Sequence, residues 1–134
     1  DISAGEPSGF VAVRDHEGAV AWSQIWPGAV EMLVAADELG HVYVMARRND
    51  EAMVVGDQTF DTQSHVLVHL DAAGEIVAAR SLDIPVAGRL EFLAAPGGGV
   101  IFGARYGESF RLNDVDIEVV GAGLFIASLP PDLR

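Results

Sequence analysis

The sequence contains no cysteine and no lysine, and these two absences narrow the chemistry open to it. Without cysteine the chain has no disulfide, no thiolate nucleophile and no cysteine-ligated zinc site. The 8 basic side chains are all arginine and face 20 acidic ones, for a formal net charge of −12. Because nucleic acids and anionic membranes are bound largely through basic side chains, the composition predicts that neither is a partner. The bias toward Ala, Gly, Val and Asp, with Arg in place of Lys, indicates a GC-rich bacterial genome.

Long apolar runs are also missing, although half of the residues are hydrophobic. No stretch approaches the roughly 18 consecutive apolar residues that a membrane-spanning helix needs, so we expect no membrane insertion. Residues 1–8 lack the basic and apolar regions of a signal peptide and predict an extended or disordered lead-in. The remaining residues, 9–134, predict a single β-repeat domain.

Short alternating and β-branched segments predict an all-β fold. The predicted strands cover residues 10–14, 20–25, 32–36, 42–46, 53–60, 66–70, 76–82, 90–95, 100–105, 110–120 and 124–129. Only "VEMLVAADEL" has good helix propensity. Its repeat partner, "LEFLAAPGGGVIFGAR", contains a proline and three glycines, so we predict a strand in both places.

An Asp-x-x-Gly motif recurs between predicted strands. It appears at Asp15 to Gly18, Asp37 to Gly40 and Asp71 to Gly74. Asp at the first position accepts a hydrogen bond from the backbone two residues further on, and Gly at the fourth tolerates the positive φ of a type I turn with a bulge. The motif therefore predicts a repeated hairpin connection.

The recurrence predicts two repeat units, at about residues 9–64 and 65–129. Asp15 and Gly18 recur 56 residues later, and placing "LAAP" over "VAAD" aligns Ala36 with Ala95. A period of this length, with about four main strands, is typical of antiparallel propeller-like blades; a compact β-sandwich or barrel is the alternative. The order of the predicted strands within the repeat indicates what the chain contains. It has the last two strands of one four-stranded unit, one complete unit, and the first three main strands of another.

The segments "GFVAVRDHEGAVAWSQI" and "VLVHLDAAGEIVAARSL", the latter preceded by "VVGDQTF", resemble the bacterial β-propeller repeat family called SBBP repeats. Trp22 occupies the family's Trp position, whereas Ala78 replaces it in the next unit. Val13 and His69 stand where the family has Lys, and "LFIASLPPDLR" has Pro-Pro in place of Asp and a small residue. The resemblance implies a propeller-like fold and an extracytoplasmic location, and it implies no catalytic residue.

Possible metal ligands are few. Histidines occur at positions 16, 41, 65 and 69. His65 and His69 share a strand face about 13 Å apart, too far to bind one zinc ion, and we expect both to be partly exposed. Asp114, Asp116 and Glu118 alternate onto one face about 6.6 Å apart, which makes them a calcium candidate, but a solvated strand face explains them better.

The best partner-binding candidates are aromatic and arginine side chains beside connections. Such residues are enriched at interface hot spots, and those near predicted strand ends are Trp26, Arg47, Arg48, Arg105 and Tyr106. One interpretation is that they are exposed partner contacts. The other, which we favour, is that Trp26 and Tyr106 cover the core edge while the arginines offset local acidic charge.

These patterns favour an extracytoplasmic interaction or scaffold module that needs no cofactor and binds a protein or a glycan through its loops. A polysaccharide-acting hydrolase or lyase and a structural filament or spacer subunit are the alternatives. The apolar edge at residues 124–129 predicts strand addition by a further copy or by other residues of a longer protein, unless Pro130 and Pro131 block it.

Overall fold

The structure is a computed structural model that describes residues 8–84, 89–106, 108–112, 115–118 and 123–134. The described residues form strands and no helix, which confirms the all-β prediction. The strands are β1 (Ser8–Arg14), β2 (Val20–Pro27), β3 (Ala29–Ala36), β4 (Val42–Arg48), β5 (Met53–Val55), β6 (Gln58–Phe60), β7 (His65–Leu70), β8 (Ile76–Leu82), β9 (Glu91–Ala94), β10 (Val100–Tyr106), β11 (Phe110–Leu112), β12 (Val115–Ile117) and β13 (Gly123–Leu129). Within this described part, no helix is long and apolar enough to cross a membrane.

The main strands form three antiparallel sheets in chain order. β1 pairs with β2; β3, β4, β7 and β8 form a four-stranded sheet; and β9, β10 and β13 form a three-stranded sheet. The small hairpins β5–β6 and β11–β12 lie between β4 and β7 and between β10 and β13. The order of the predicted strands within the repeat indicates the same arrangement of two, four and three main strands. None of the sheets is closed.

The four-stranded sheet begins at Ala29 and ends at Leu82, so it crosses the predicted boundary between residues 64 and 65. The repeat in the sequence and the sheet in the structure are therefore offset by two strands. A recurring turn fixes the period of a repeat, but it does not fix which strand starts a sheet.

The inner strands of the four-stranded sheet, β4 and β7, are covered on both faces. We call the face toward the N-terminal neighbouring sheet the front and the opposite face the back. Its front packs against the back of β1–β2, and the buried side chains there include Val11, Trp26, Val42, Val44, Ala46, Val66, Val68 and Leu70. Its back packs against the front of β9–β10–β13, through Tyr43, Met45, Leu67, Leu82, Val100, Phe102, Ala104, Phe125 and Leu129. The order of the three sheets is therefore front on back throughout.

The helix-like segment is β3, as the repeat predicts, but the alignment behind that prediction is wrong by one residue. Gly40 donates its backbone N–H to Asp37 at 3.1 Å, and Gly98 donates to Ala95 at 3.0 Å. Ala95 is therefore the counterpart of Asp37 and not of Ala36. Because Gly97, Gly98 and Gly99 are identical, the sequence alone does not show which of them matches Gly40. The hydrogen bonds of the turn identify Gly98 as its counterpart.

The three Asp-x-x-Gly turns have the predicted hydrogen bonds. Oδ1 of each aspartate accepts two backbone N–H groups, two and four residues further on, at 2.9 to 3.0 Å. The glycines at the fourth position have φ of 86° at Gly18, 81° at Gly40 and 84° at Gly74. The local sequence therefore determines these connections.

Candidate binding cleft

A concavity lies at one end of the back face of the four-stranded sheet. It encloses about 750 Å³. Its lining combines polar and apolar side chains from β3, β4, the start of β7 and the segments beside β8 and β9: Glu31, Met32, Leu33, Met45, Arg47, Ser64, His65, Ile84, Arg89 and Leu90. A concave site with an apolar lining and a few convergent polar groups is the usual form of a ligand site.

A row of polar side chains crosses the sheet in this cleft because of the strand register. Glu31 of β3 lies opposite Arg47 of β4, and Arg47 lies opposite His65 of β7. Arg47 Nε donates to Glu31 Oε2 at 3.0 Å. That hydrogen bond and the charge of Arg47 lower the pKa of Glu31. Glu31 is therefore an anion at neutral pH, held in place by the guanidinium.

His65 is the buried member of the row. Its side chain is 7% exposed, and its Nδ1 lies 2.7 Å from Ser64 Oγ. Burial lowers its pKa, and the nearby positive charge of Arg47 acts in the same direction. The cleft therefore contains a neutral imidazole at neutral pH, beside the guanidinium of Arg47.

Two side chains of β2 bind the turn of the neighbouring sheet. Trp22 Nε1 donates to Ala72 O at 3.1 Å, and Gln24 Nε2 donates to Gly74 O at 2.6 Å. Trp26 Nε1 donates to Gln24 Oε1 at 3.0 Å and so orients that amide. We call this set of hydrogen bonds the first turn contact.

A second turn contact, between the four-stranded sheet and the segment that follows β13, has the same arrangement. His69 Nδ1 lies 2.8 Å from Pro131 O, and Arg80 donates to Leu133 O at 3.0 Å. Leu133 N–H donates to Pro130 O at 2.8 Å, and Leu133 has φ of 60°. The Pro-Pro-Asp-Leu segment therefore takes the place of an Asp-x-x-Gly turn, with Leu133 at the glycine position.

His69 is fixed in one tautomer by this contact. A carbonyl oxygen can only accept, so Nδ1 of His69 carries the proton. Its Nε2 then accepts from His41 Nδ1, which lies 2.8 Å away. The ring is 2% exposed and stacks on Tyr43 with centroids 4.5 Å apart. Protonation of His69 would place two N–H groups against each other unless His41 changed its tautomer.

We expect the protein to lose stability as the pH falls below about 6.5, the ordinary histidine value. Burial lowers the pKa of both His65 and His69 in the folded state. The unfolded chain then binds more protons in this range, so stability is complete above the unfolded pKa and is lost as the pH falls toward the folded pKa. For His69, burial is the largest cause; the hydrogen bond to the Pro131 carbonyl raises the pKa, the His41 ring lowers it less strongly, and Asp37 and Asp71 raise it less strongly still.

Urea unfolding between about pH 7.5 and 5.5 measures this dependence, because most carboxylates stay ionised in that range. His16 is exposed and supplies the control: His16→Asn should leave the pH dependence unchanged. Unfolding free energy that does not change across this range would show that folding does not lower the pKa of the two buried histidines.

The expected exposure of His65 and His69 is therefore wrong, and Trp26 is not an exposed partner contact. Trp26 is fully buried. β7 is an inner strand of a sheet covered on both faces, and Trp26 lies on the back face of β2, beneath the next sheet. In a sheet covered on one face only, some of these side chains would be exposed.

The other partner-binding candidates lie apart from one another. Arg48 donates to Gln63 O at 3.0 Å and to Glu51 O at 2.7 Å, so it holds the connections around β5–β6. Arg105 lines a shallow groove on the back of β9–β10–β13. Tyr106 packs edge-on against Phe125 with ring centroids 5.9 Å apart. Of the five predicted residues, only Arg47 lines the cleft.

The calcium candidate is described in part. Arg111 lies 3.5 Å from Asp116 Oδ1, and Glu118 is exposed. Asp114 lies outside the described residues. In the part of the chain that the structure describes, no group of three or more His, Cys, Asp or Glu side chains is placed to hold a metal ion.

Comparisons with protein-family models, with curated proteins and with solved structures find no match to this chain.

Proposed function

We propose that the protein is a non-catalytic interaction module of propeller-like blades that binds a glycan or a protein segment in the cleft beside Arg47. The observation that carries the proposal is the cleft itself, where a polar row meets an apolar floor between two sheets. The stacking of sheets front on back supports propeller-like blades, and the resemblance to secreted and surface repeats supports an extracytoplasmic location.

The lining suits a ligand with both polar and apolar parts. Leu33, Met45 and Leu90 offer an apolar surface for one face of a sugar ring or for an aliphatic side chain. Arg47 and Arg89 present N–H donors, which favour carboxylate or hydroxyl groups. Binding at this place would use side chains of strands and not of loops alone.

The geometry favours binding over the hydrolase or lyase alternative. Among the described lining residues, Glu31 is the one carboxylate, and Arg47 lowers its pKa. A general acid for glycoside cleavage needs a raised pKa and a second carboxylate nearby. Glu31 is suited instead to orienting the guanidinium of Arg47.

We predict that Arg47→Ala weakens ligand binding about 10-fold or more, since it removes a charge-assisted donor from the cleft. Screening the chain on glycan and peptide arrays identifies the ligand, and titration calorimetry compares the variants. Arg105→Ala is the matched control, because Arg105 occupies the equivalent strand position outside the cleft. Stability should change by less than about 1 kcal/mol, as is usual for an exposed ion pair.

The proposal is wrong if Arg47→Ala and Arg105→Ala bind the ligand equally well. Hydrolysis or elimination of an array glycan by the wild type, abolished by Glu31→Gln, would favour the enzymatic alternative instead.

A further inference from the structure

Two sheet faces at opposite ends of the stack are apolar and exposed. On the front of β1–β2, Phe10 is 64% exposed and Ile25 is 53% exposed. On the back of β9–β10–β13, Leu93 is 63%, Leu124 is 77% and Ile126 is 83% exposed. Contiguous apolar surface of this kind marks an interaction site in a folded protein.

The repeat gives each exposed residue a buried counterpart in the four-stranded sheet. Phe10 lies five residues before Asp15, as Val66 lies five before Asp71, and Val66 is completely buried on the front face. Ile126 of β13 pairs with Gly103 of β10. In the same register, Leu67 of β7 pairs with Met45 of β4, and Leu67 is completely buried on the back face.

These counterparts indicate what covers the exposed faces. Both established interfaces of the chain join a front face to a back face: β3–β4–β7–β8 on β1–β2, and β9–β10–β13 on β3–β4–β7–β8. Within the part of the chain that the structure describes, the front face of the first sheet and the back face of the last sheet have no sheet packed on them. The two free faces therefore belong to the two complementary types.

We propose that the back of β9–β10–β13 in one copy of this chain docks on the front of β1–β2 in a second copy. The contact continues the series of front-on-back interfaces and places Leu93, Leu124 and Ile126 of one copy near Phe10 and Ile25 of the next. Because different surfaces meet, the association is heterologous and produces a ring or an open array. It does not rest on the proposed function of the cleft, whose polar row lies on the four-stranded sheet.

Charged substitutions on the two faces test this pairing. Ile126→Glu blocks the back face and Phe10→Glu blocks the front face, and both side chains are mostly exposed, so the fold should persist. Leu39→Glu is the matched control, since Leu39 is 73% exposed in the Asp37 to Gly40 turn, away from both faces. Circular dichroism and thermal melts verify that each variant is folded.

Sedimentation velocity over a range of concentrations gives the result. We expect the wild type and Leu39→Glu to gain mass with concentration, and each face variant alone to remain a monomer. A mixture of Ile126→Glu and Phe10→Glu should form a dimer of one copy of each and nothing larger, because one intact front and one intact back remain.

Three results would overturn the proposal. A wild type that stays monomeric at all concentrations would mean that something other than a second copy covers these faces. Self-association of either face variant alone would show that like faces meet. A mixture of folded variants that stays monomeric would show that front and back do not pair.

Discussion

Replacing Trp26 with alanine is expected to lower the free energy of unfolding by about 3 to 5 kcal/mol, the usual cost of truncating a buried aromatic side chain. Trp26 is completely buried between β1–β2 and the four-stranded sheet. Its Nε1–H also orients Gln24, which binds the turn carbonyl of Gly74. The substitution therefore leaves a cavity and loosens the first turn contact, and urea unfolding followed by circular dichroism measures the loss.

Trp26→Phe separates these two effects. Phenylalanine fills most of the space but donates no hydrogen bond, so we expect a smaller loss of about 1 to 3 kcal/mol from the unsatisfied amide and the residual void. If Trp26→Ala left stability nearly unchanged while abolishing partner binding, Trp26 would be the exposed contact that its sequence position suggested, and the packing described above would be wrong.

Gly74→Ala should be the next most damaging substitution, at about 2 to 5 kcal/mol from left-handed strain and overpacking together. Gly74 has φ of 84°, and a Cβ placed on it would lie 2.5 Å from Cδ2 of Trp22. Gly18 has nearly the same φ of 86°, and nothing lies within 4 Å of its added Cβ. Gly18→Ala should therefore cost only the strain, about 1 to 2 kcal/mol. Chemical denaturation of both variants gives the comparison, and equal losses would mean that the turn does not pack on Trp22.

The sequence predicts the turns and the strands well because both depend on neighbouring residues. An aspartate that binds its own backbone and a glycine at positive φ act within five residues, so Asp15, Asp37 and Asp71 determine their turns wherever the sheets lie. Strand alternation is equally local, and the predicted segments match the observed strands to within a few residues, except that the segments 53–60 and 110–120 each contain a hairpin of two short strands.

The cleft and the burial of Trp26, His65 and His69 could not be predicted in the same way. They depend on which sheet covers which face, and that is a property of the stack. The sequence contained one indication of this burial. "HVLVHL" and "VYVMA" are nearly continuous apolar runs, which are typical of strands buried on both faces. Reading the histidines within that run would have placed both inside the protein. His65 lies within hydrogen-bonding distance of its sequence neighbour Ser64, whereas His69 bonds to Pro131, far along the chain. A local sequence pattern cannot predict the contact with Pro131.

Neighbouring sheets are joined where a turn of one packs on side chains of the sheet before it. A double-mutant cycle on Trp22 and Gly74 isolates the coupling between the two residues of one such contact. In a Trp22→Ala background, we expect Gly74→Ala to cost only about as much as Gly18→Ala, roughly 1 to 2 kcal/mol of strain. A cost for Gly74→Ala that is the same with and without Trp22 would contradict it.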